Sequence, residues 1–156
     1  MNKKVLVIGA TGAMGTYLVP KLIEDGYEVD AVTLEDMAST AAGLQYIKAD
    51  ARDKAVLNEL LQRHYDGIVD FMVYNTKTFP EYAPMLLENT DHYIYLSTYR
   101  VFADEEHPIR ESSPRLLDAS KDPLLLASDD YCIYKAKGEN YLRNSGYHNW
   151  TIIRPA

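Results

Sequence analysis

Three glycines near the start of the chain have the spacing of a loop that binds phosphate groups. Gly9, Gly12 and Gly15 follow the apolar run KVLVI and precede a stretch of helical periodicity. The first glycine would end a strand in a tight turn, the second would leave room for a pyrophosphate, and the third would let the helix pack close to the sheet. A helix N-terminus also offers unpaired N–H groups and a positive dipole end to an anion. The sequence therefore predicts a dinucleotide site here, the alternative being a tight turn without a ligand. The other loop residues predicted to contact the cofactor are Thr11, Ala13 and Met14.

The remaining side chains with reactive chemistry are weaker candidates. The histidines are scattered and share no metal-ligand spacing, so no metal site is predicted from them; they are His64, His92, His107 and His148. Cys132 is the only cysteine, which excludes an internal disulfide and suits a reducing, cytoplasmic location. A buried position on a helix is the usual place for such a cysteine.

The elements that must position the glycine loop alternate between strands and helices. Short apolar runs predict six strands, at 4–10, 27–34, 44–50, 67–74, 92–98 and 149–155. Helices are predicted at 14–25, at 53–65 with Asp53 as N-cap, from about Pro80 to near Asn89, and at 129–146. Residues 103–128 are predicted as a long polar loop with short helical turns. This alternation predicts an α/β fold, a Rossmann-type doubly wound parallel sheet with helices on both faces.

Size and charge narrow the function further. The chain has 156 residues, enough for one domain with a sizeable core. Its 16 basic and 23 acidic residues give a net charge of −7, with no basic window. A nucleic-acid surface would need clustered Lys and Arg, so nucleic acid is a disfavoured partner. No stretch approaches transmembrane length, and no membrane partner is expected.

The G-x-x-G-x-x-G loop with Thr11 resembles that of the short-chain dehydrogenase/reductase superfamily. That resemblance implies a catalytic Tyr-x-x-x-Lys pair, and the chain contains two such pairs. Tyr17 and Lys21 lie in the first helix and are interpreted as a chance match. Tyr131 and Lys135 lie on the helix before the sixth strand, where the family carries its pair. Positions i and i+4 share a helix face, so Lys135 could both hold Tyr131 and reach a cofactor ribose.

Two further segments resemble the extended, nucleotide-sugar-modifying branch of that superfamily. The stretch YIYLSTYRVFAD is similar to its SS-x-x-VYG segment, which implies that Thr98 is the catalytic hydroxyl, with Ser97 beside it. Ordinary polarity at a strand end is the alternative. The stretch IKADARD looks like the G-D-x-x-D segment, which implies that Asp50 bonds the adenine amino group and that Ala51 offers a backbone contact. The closing IIRPA and the pairing of Lys135 with Glu139 also resemble this branch.

The cofactor preference is predicted from the end of the second strand. Thr33 occupies the position where the family usually has Asp for NAD or Arg for NADP, and Glu35 and Asp36 follow it. With no cation nearby in the sequence, NAD is favoured and NADP is less favoured. The fourth strand should end beside the cofactor, but with bulky residues where the family has small ones. The residues predicted there are Phe71, Met72 and Val73.

Together these segments identify the chain as similar to the extended NAD-dependent epimerase/dehydratase family. The resemblance implies one NAD(P)-binding domain over residues 1–156, without the further substrate domain that such enzymes carry. It implies transient hydride transfer on a nucleotide sugar, in which Tyr131 removes a hydroxyl proton and Thr98 bonds the reacting oxygen. One alternative is a non-catalytic dinucleotide-binding or sensor module. Another is an RNA-associated member of a divergent branch, which the VDFMVY stretch resembles. A homodimer is left open.

Overall fold

The computed structural model describes residues 2–156 and contains one six-stranded parallel sheet. The strands are β1 (Lys4–Ile8), β2 (Glu28–Thr33), β3 (Leu44–Lys48), β4 (Gly67–Asp70), β5 (Tyr93–Leu96) and β6 (Trp150–Ile153). The helices are α1 (Gly15–Glu24), α2 (Lys54–Leu61), α3 (Phe79–Glu88), α4 (Leu116–Ala119), α5 (Pro123–Ala127) and α6 (Tyr131–Asn144). A 3₁₀ turn, Tyr99–Val101, follows β5.

The strand order is β3-β2-β1-β4-β5-β6, and every pairing is parallel. The chain therefore winds outward in one direction from β1 to β3 and in the other from β4 to β6. The crevice at the carboxyl ends of β1 and β4 is where doubly wound sheets bind their ligands. The predicted Rossmann-type fold is confirmed.

The apolar run of β1 is buried on both faces of the sheet. Leu6 and Ile8 point into one core cluster, and Val5 and Val7 into the other. Successive side chains of a strand alternate between faces, so a strand covered on both sides must be apolar at every position. This explains why β1 has no polar residue between Val5 and Ile8.

Two elements end about four residues earlier in the structure than the sequence pattern predicts. We expected the fourth strand to run to residue 74, but β4 ends at Asp70, whose carboxylate accepts a hydrogen bond from the Met72 N–H at 2.9 Å. This turn leads the chain out of the sheet. We expected the second helix to reach residue 65, but α2 ends at Leu61, and His64 adopts a left-handed conformation with φ of 48°. The Asp53 cap is confirmed, since its side chain accepts from the N–H groups of Ala55 and Val56.

The segment between β5 and α6 contains α4 and α5 and is packed against α6 through Arg115, which is buried. Within residues 2–156, the helices are too short or too polar to cross a bilayer.

Candidate cofactor site and catalytic groups

The glycine loop has the backbone geometry that its spacing predicts. Gly9 has a φ of 80°, which favours glycine, and turns the chain out of β1. A side chain on Gly15 would collide with the backbone of Ala10, its Cβ lying 2.8 Å from the Ala10 Cα. Gly12 is exposed, and a Cβ there would meet only the Gly9 carbonyl oxygen, at 3.3 Å. The first and third glycines thus shape the loop, and the second keeps its outer surface open.

The loop presents several free backbone donors at the N-terminus of α1. Among residues 2–156, no acceptor is found for the N–H groups of Thr11, Ala13, Met14 and Gly15. The Gly12 N–H is used internally, donating to the Gly9 carbonyl at 3.1 Å. Free N–H groups at a helix N-terminus, beside a glycine without a side chain, form an anion site. The loop therefore fits the pyrophosphate of a dinucleotide.

A cavity of about 220 Å³ lies beside the loop, at the carboxyl ends of β1, β2 and β3. Residues predicted to bind the cofactor line much of it; they are Gly9, Thr11, Thr33, Glu35, Asp50, Ala51 and Met72. These residues come from four separate segments, and the parallel sheet brings them to one edge. The cavity has the position and the mixed polar and apolar walls that an adenosine group requires.

Hydrogen bonds hold the polar wall of this cavity in place. The hydroxyls of Thr11 and Thr33 lie 3.0 Å apart, which ties the glycine loop to the end of β2. The Thr33 hydroxyl also accepts from the Glu35 N–H at 3.1 Å. One carboxylate oxygen of Asp50 accepts from the Arg52 N–H at 2.9 Å, and the side chain is exposed. Its other oxygen is free to accept a donor such as an adenine amino group.

The prediction about charge around the cofactor site is wrong on one point. We expected no cation near Thr33 and Glu35, but Arg52 lines the same cavity as both. The turn after β3, held by Asp50, carries Arg52 back toward the end of β2. The sequence did indicate that Arg52 lies near the cofactor, because Arg52 is two residues after Asp50 and the Asp50 segment is predicted to contact the cofactor.

Of the three cofactor residues predicted at the end of the fourth strand, Phe71 and Val73 lie outside the cavity. Phe71 packs beneath the loop, where a Cβ on Gly9 would be 3.3 Å from the Phe71 Cβ. Val73 is exposed and lines an adjacent groove with Tyr74 and Tyr82. Phe71 continues the alternation of β4, since its N–H still donates to the Ile8 carbonyl at 3.0 Å and its side chain joins the core cluster of Val69. The position of Val73 follows from the early end of β4, because the chain has left the sheet by that residue.

The three predicted catalytic residues lie on two neighbouring elements. Thr98 is buried just after β5, and its hydroxyl accepts from the Arg100 N–H at 3.2 Å. Lys135 is buried on α6, and its ammonium donates to the Leu96 carbonyl at 2.6 Å. Tyr131 is one turn earlier on α6, 38% exposed, and the Arg100 guanidinium lies 5.6 Å from its ring centre. The Lys135 contact thus joins α6 to the end of β5, two residues before Thr98.

Ser97 and Thr98 have different surroundings. The Ser97 hydroxyl donates to the buried Glu139 carboxylate at 2.7 Å and is occupied by that bond. The Glu139 carboxylate also receives two hydrogen bonds from Arg154, at 2.7 and 2.8 Å, and one from Arg115 at 3.0 Å. Burial acts to raise the pKa of Glu139, but these hydrogen bonds outweigh it and leave the pKa lowered. Arg154 is therefore an ion-pair partner and not only the end of a strand.

The second Tyr-x-x-x-Lys pair is on the outer surface of α1. Tyr17 is 82% exposed, and Lys21 pairs with Glu24 and Asp25 at 3.3 and 3.1 Å. Neither residue lines the cavity beside the glycine loop.

The strand order, the glycine loop with its free donors and the cavity at the switch point define a dinucleotide-binding Rossmann domain. The sequence matches the NAD(P)H-binding family over residues 9–156, and the chain belongs to that family. Its cofactor is NAD(P).

Relatives of known description are distant in sequence. A chloroplast stem-loop binding protein of 41 kDa from Arabidopsis thaliana is 25% identical over 99% of this chain and 42% of its own length. The Bordetella bronchiseptica enzyme WbmH, solved with NAD+, superposes with a TM-score of 0.73 at 20% identity, over 99% of this chain and 56% of that one. A UDP-glucose 4-epimerase from Thermotoga maritima, solved with UDP-glucose, gives 0.68 at 20% identity, over 97% and 54%. The chain thus spans about half the length of these proteins, and the two superpositions show a shared Rossmann fold.

Proposed function

We propose that this chain is the cofactor-binding part of an NAD-dependent epimerase/dehydratase that acts on a nucleotide sugar. The observation that carries the proposal is the hydrogen bond from Lys135 to the Leu96 carbonyl. It holds the Tyr131 helix against the strand end that carries Thr98, at the same edge of the sheet as the glycine loop. The fold shared with the Thermotoga epimerase, whose structure contains UDP-glucose, supports the substrate class.

The glycine loop and the residues around Thr33 and Asp50 would hold NAD. When bound, NAD supplies a reversible hydride acceptor. Tyr131 would remove the proton of the sugar hydroxyl, and Thr98 would donate a hydrogen bond to the same oxygen. Lys135 would keep the Tyr131 helix against the end of β5 and would donate a hydrogen bond to the cofactor ribose. NAD would be preferred over NADP, because the exposed Glu35 carboxylate at the end of β2 would repel a 2′-phosphate.

The test compares the two tyrosines of the chain in the complete gene product. Tyr131→Phe should lower kcat for UDP-sugar turnover in the presence of NAD by several orders of magnitude, with NAD affinity nearly unchanged, since the hydroxyl acts mainly in the transition state. Tyr17→Phe is the matched control and should leave kcat at the level of the unmodified protein. Equal turnover by both variants would refute the catalytic assignment.

A second candidate function is favoured by the relationship to the chloroplast stem-loop binding protein. An RNA-associated protein would retain the dinucleotide site without turning over a sugar. The net charge of −7 opposes this function. Salt-sensitive binding of a stem-loop RNA, together with no turnover of UDP-sugars, would support it. NAD binding with neither property would instead support a sensor module. A homodimer stays a proposal, tested by the mass of the protein in solution.

A further inference from the structure

Asp70 is a buried carboxylate that the sequence resemblance does not assign. It ends β4 and is 2% exposed. One oxygen accepts from the Met72 N–H at 2.9 Å, and the other accepts from the hydroxyls of Tyr74 and Tyr93 at 2.9 and 3.0 Å. All three partners donate to the carboxylate, and these hydrogen bonds stabilise its ionised form against the effect of burial.

Among the described residues, one buried carboxylate and one buried ammonium have no oppositely charged side chain within 4.0 Å. Three carboxylates are buried in residues 2–156, at Asp30, Asp70 and Glu139. Asp30 and Glu139 each have cationic side chains within 4.0 Å. Asp70 has no cationic side chain within 4.0 Å, and the buried Lys135 has no carboxylate within 4.0 Å. Burying a charge without a nearby counter-charge costs free energy, so each of these two groups would be stabilised in its charged form by the other.

The sheet register places the two groups together. Asp70 of β4 is the register partner of Tyr95 in β5, and register partners in parallel strands project from the same face. Tyr95 contacts α6 on that face, and the Lys135 ammonium lies 5.1 Å from the centre of the Tyr95 ring. Asp70 and Lys135 therefore lie on the same side of the sheet, one strand apart, with Tyr95 beside both.

The other polar groups around Lys135 do not replace Asp70. On α6, the Tyr134 ring centre is 6.0 Å from the ammonium, and Glu139 is already paired with three arginines. Asp129 and Asp130, before the helix, are exposed. From β5, Tyr95 offers its ring and the Leu96 carbonyl accepts one hydrogen of the ammonium.

We propose that Asp70 is a positioning residue, whose carboxylate is the counter-charge that keeps Lys135 protonated in its buried place at the carboxyl edge of the sheet. The proposal rests on the proposed function in so far as Lys135 acts in the site. A neutral amine would lose its attraction for a developing tyrosinate and one of its three donor hydrogens. Asp70 would thus act on the chemistry through Lys135, without touching substrate or cofactor.

Burial is the largest influence on both groups, so the pKa of Lys135 is lowered and the pKa of Asp70 is raised from their ordinary values. Burial lowers the pKa of Lys135, and the charge of Asp70 opposes that change. Burial likewise raises the pKa of Asp70, and it is opposed by the hydrogen bonds of Met72, Tyr74 and Tyr93 and by the charge of Lys135. Each group therefore stabilises the charged form of the other.

The test measures the pKa of the Lys135 ammonium by NMR, in protein with ¹³C-labelled lysine and with the signal assigned by Lys135→Met. Asp70→Asn removes the charge and keeps the shape of the side chain. We expect it to lower the Lys135 pKa by about one pH unit or more, the usual effect of losing a nearby opposite charge. Tyr93→Phe is the matched control. It removes one hydrogen bond from Asp70 but leaves the carboxylate, and should move the Lys135 pKa much less.

A purely structural role for Asp70 predicts a different result, in which Asp70→Asn lowers the free energy of unfolding but leaves the Lys135 pKa unchanged. That result would overturn the proposal. If Asp70→Asn does not fold, Lys135→Met provides the reciprocal measurement, because loss of the ammonium should raise the pKa of Asp70, read from its ¹³C carboxyl signal. An unchanged Asp70 pKa would equally overturn it. Neither measurement uses turnover, so an inactive protein with a coupled pair would refute the proposed function and not this inference.

Discussion

Glu139→Gln should destabilise the protein strongly, because it breaks the buried ion-pair cluster that joins α6 to β5, β6 and the segment before α4. The carboxylate is fully buried and accepts from Ser97, from Arg154 twice and from Arg115. A glutamine would turn an amide N–H toward these donors and leave the charge of Arg154 unmatched, whereas Arg115 would keep its ion pair with Asp118. Removing one partner of a buried ion pair costs about 3–5 kcal/mol. The two arginines are 10% and 14% exposed, so water can reach them in part, and we expect a loss near the lower limit.

The measurement is the free energy of unfolding from urea titration at pH 7. Glu24→Gln is the control, since Glu24 is 71% exposed and pairs only with Lys21 on the surface; its loss should stay below about 1 kcal/mol. Because the pKa of Glu139 is lowered in the folded protein from its ordinary 4.5, its contribution is complete above that value. The contribution is lost as the pH falls through the lower, folded pKa. The difference between the unmodified protein and Glu139→Gln should therefore shrink on acidification. A difference below about 1 kcal/mol at pH 7, or one that grows toward low pH, would refute this reasoning.

Two further predictions concern the cofactor site. Gly12→Val should abolish NAD binding in calorimetry while the protein stays folded, because the exposed side chain would occupy the place of the pyrophosphate. The smaller change Gly12→Ala should weaken NAD binding less. Unchanged NAD affinity in the valine variant would exclude the loop as the cofactor site. NAD should bind more tightly than NADP by roughly 1–2 kcal/mol, and Glu35→Gln should narrow that difference by removing the repulsion of the 2′-phosphate. Arg52→Ala measures what the Arg52 charge contributes, since it should lower the affinity for NADP and leave the affinity for NAD unchanged. A larger effect on NAD affinity would show that Arg52 contacts another part of the cofactor.

The fold could be predicted from the sequence because its signals are local and repeated. The apolar run of β1, the glycine loop and the periodicity of α1 each predict one element, and their alternation permits few topologies. The ends of elements were harder to predict. The stretch after Asp70 has the β-branched and aromatic composition of a strand, but a single side-chain hydrogen bond to Met72 ends β4 there.

The candidate site could be predicted only where one segment carries a complete motif. The glycine loop and the Asp50 segment are of this kind, and the structure brings them to one cavity. Arg52 was not predicted to line the same cavity as Glu35, because that placement depends on how the turn after β3 returns. The proposed coupling of Asp70 to Lys135 relates β4 to α6, and no spacing along the chain encodes it. Glu139 and Arg115 likewise meet only after the segment between β5 and α6 has folded.

A crystal structure of the complete gene product with NAD bound would test both the cofactor site and the catalytic assignment. We expect the pyrophosphate on the N–H groups of the glycine loop and the adenosine in the cavity beside Thr33 and Asp50. We also expect Lys135 within hydrogen-bonding distance of the nicotinamide ribose, with the Tyr131 hydroxyl facing the nicotinamide. NAD bound at the loop with Tyr131 turned away from Thr98 and the nicotinamide would contradict the catalytic assignment, and NAD bound anywhere else would contradict the site itself.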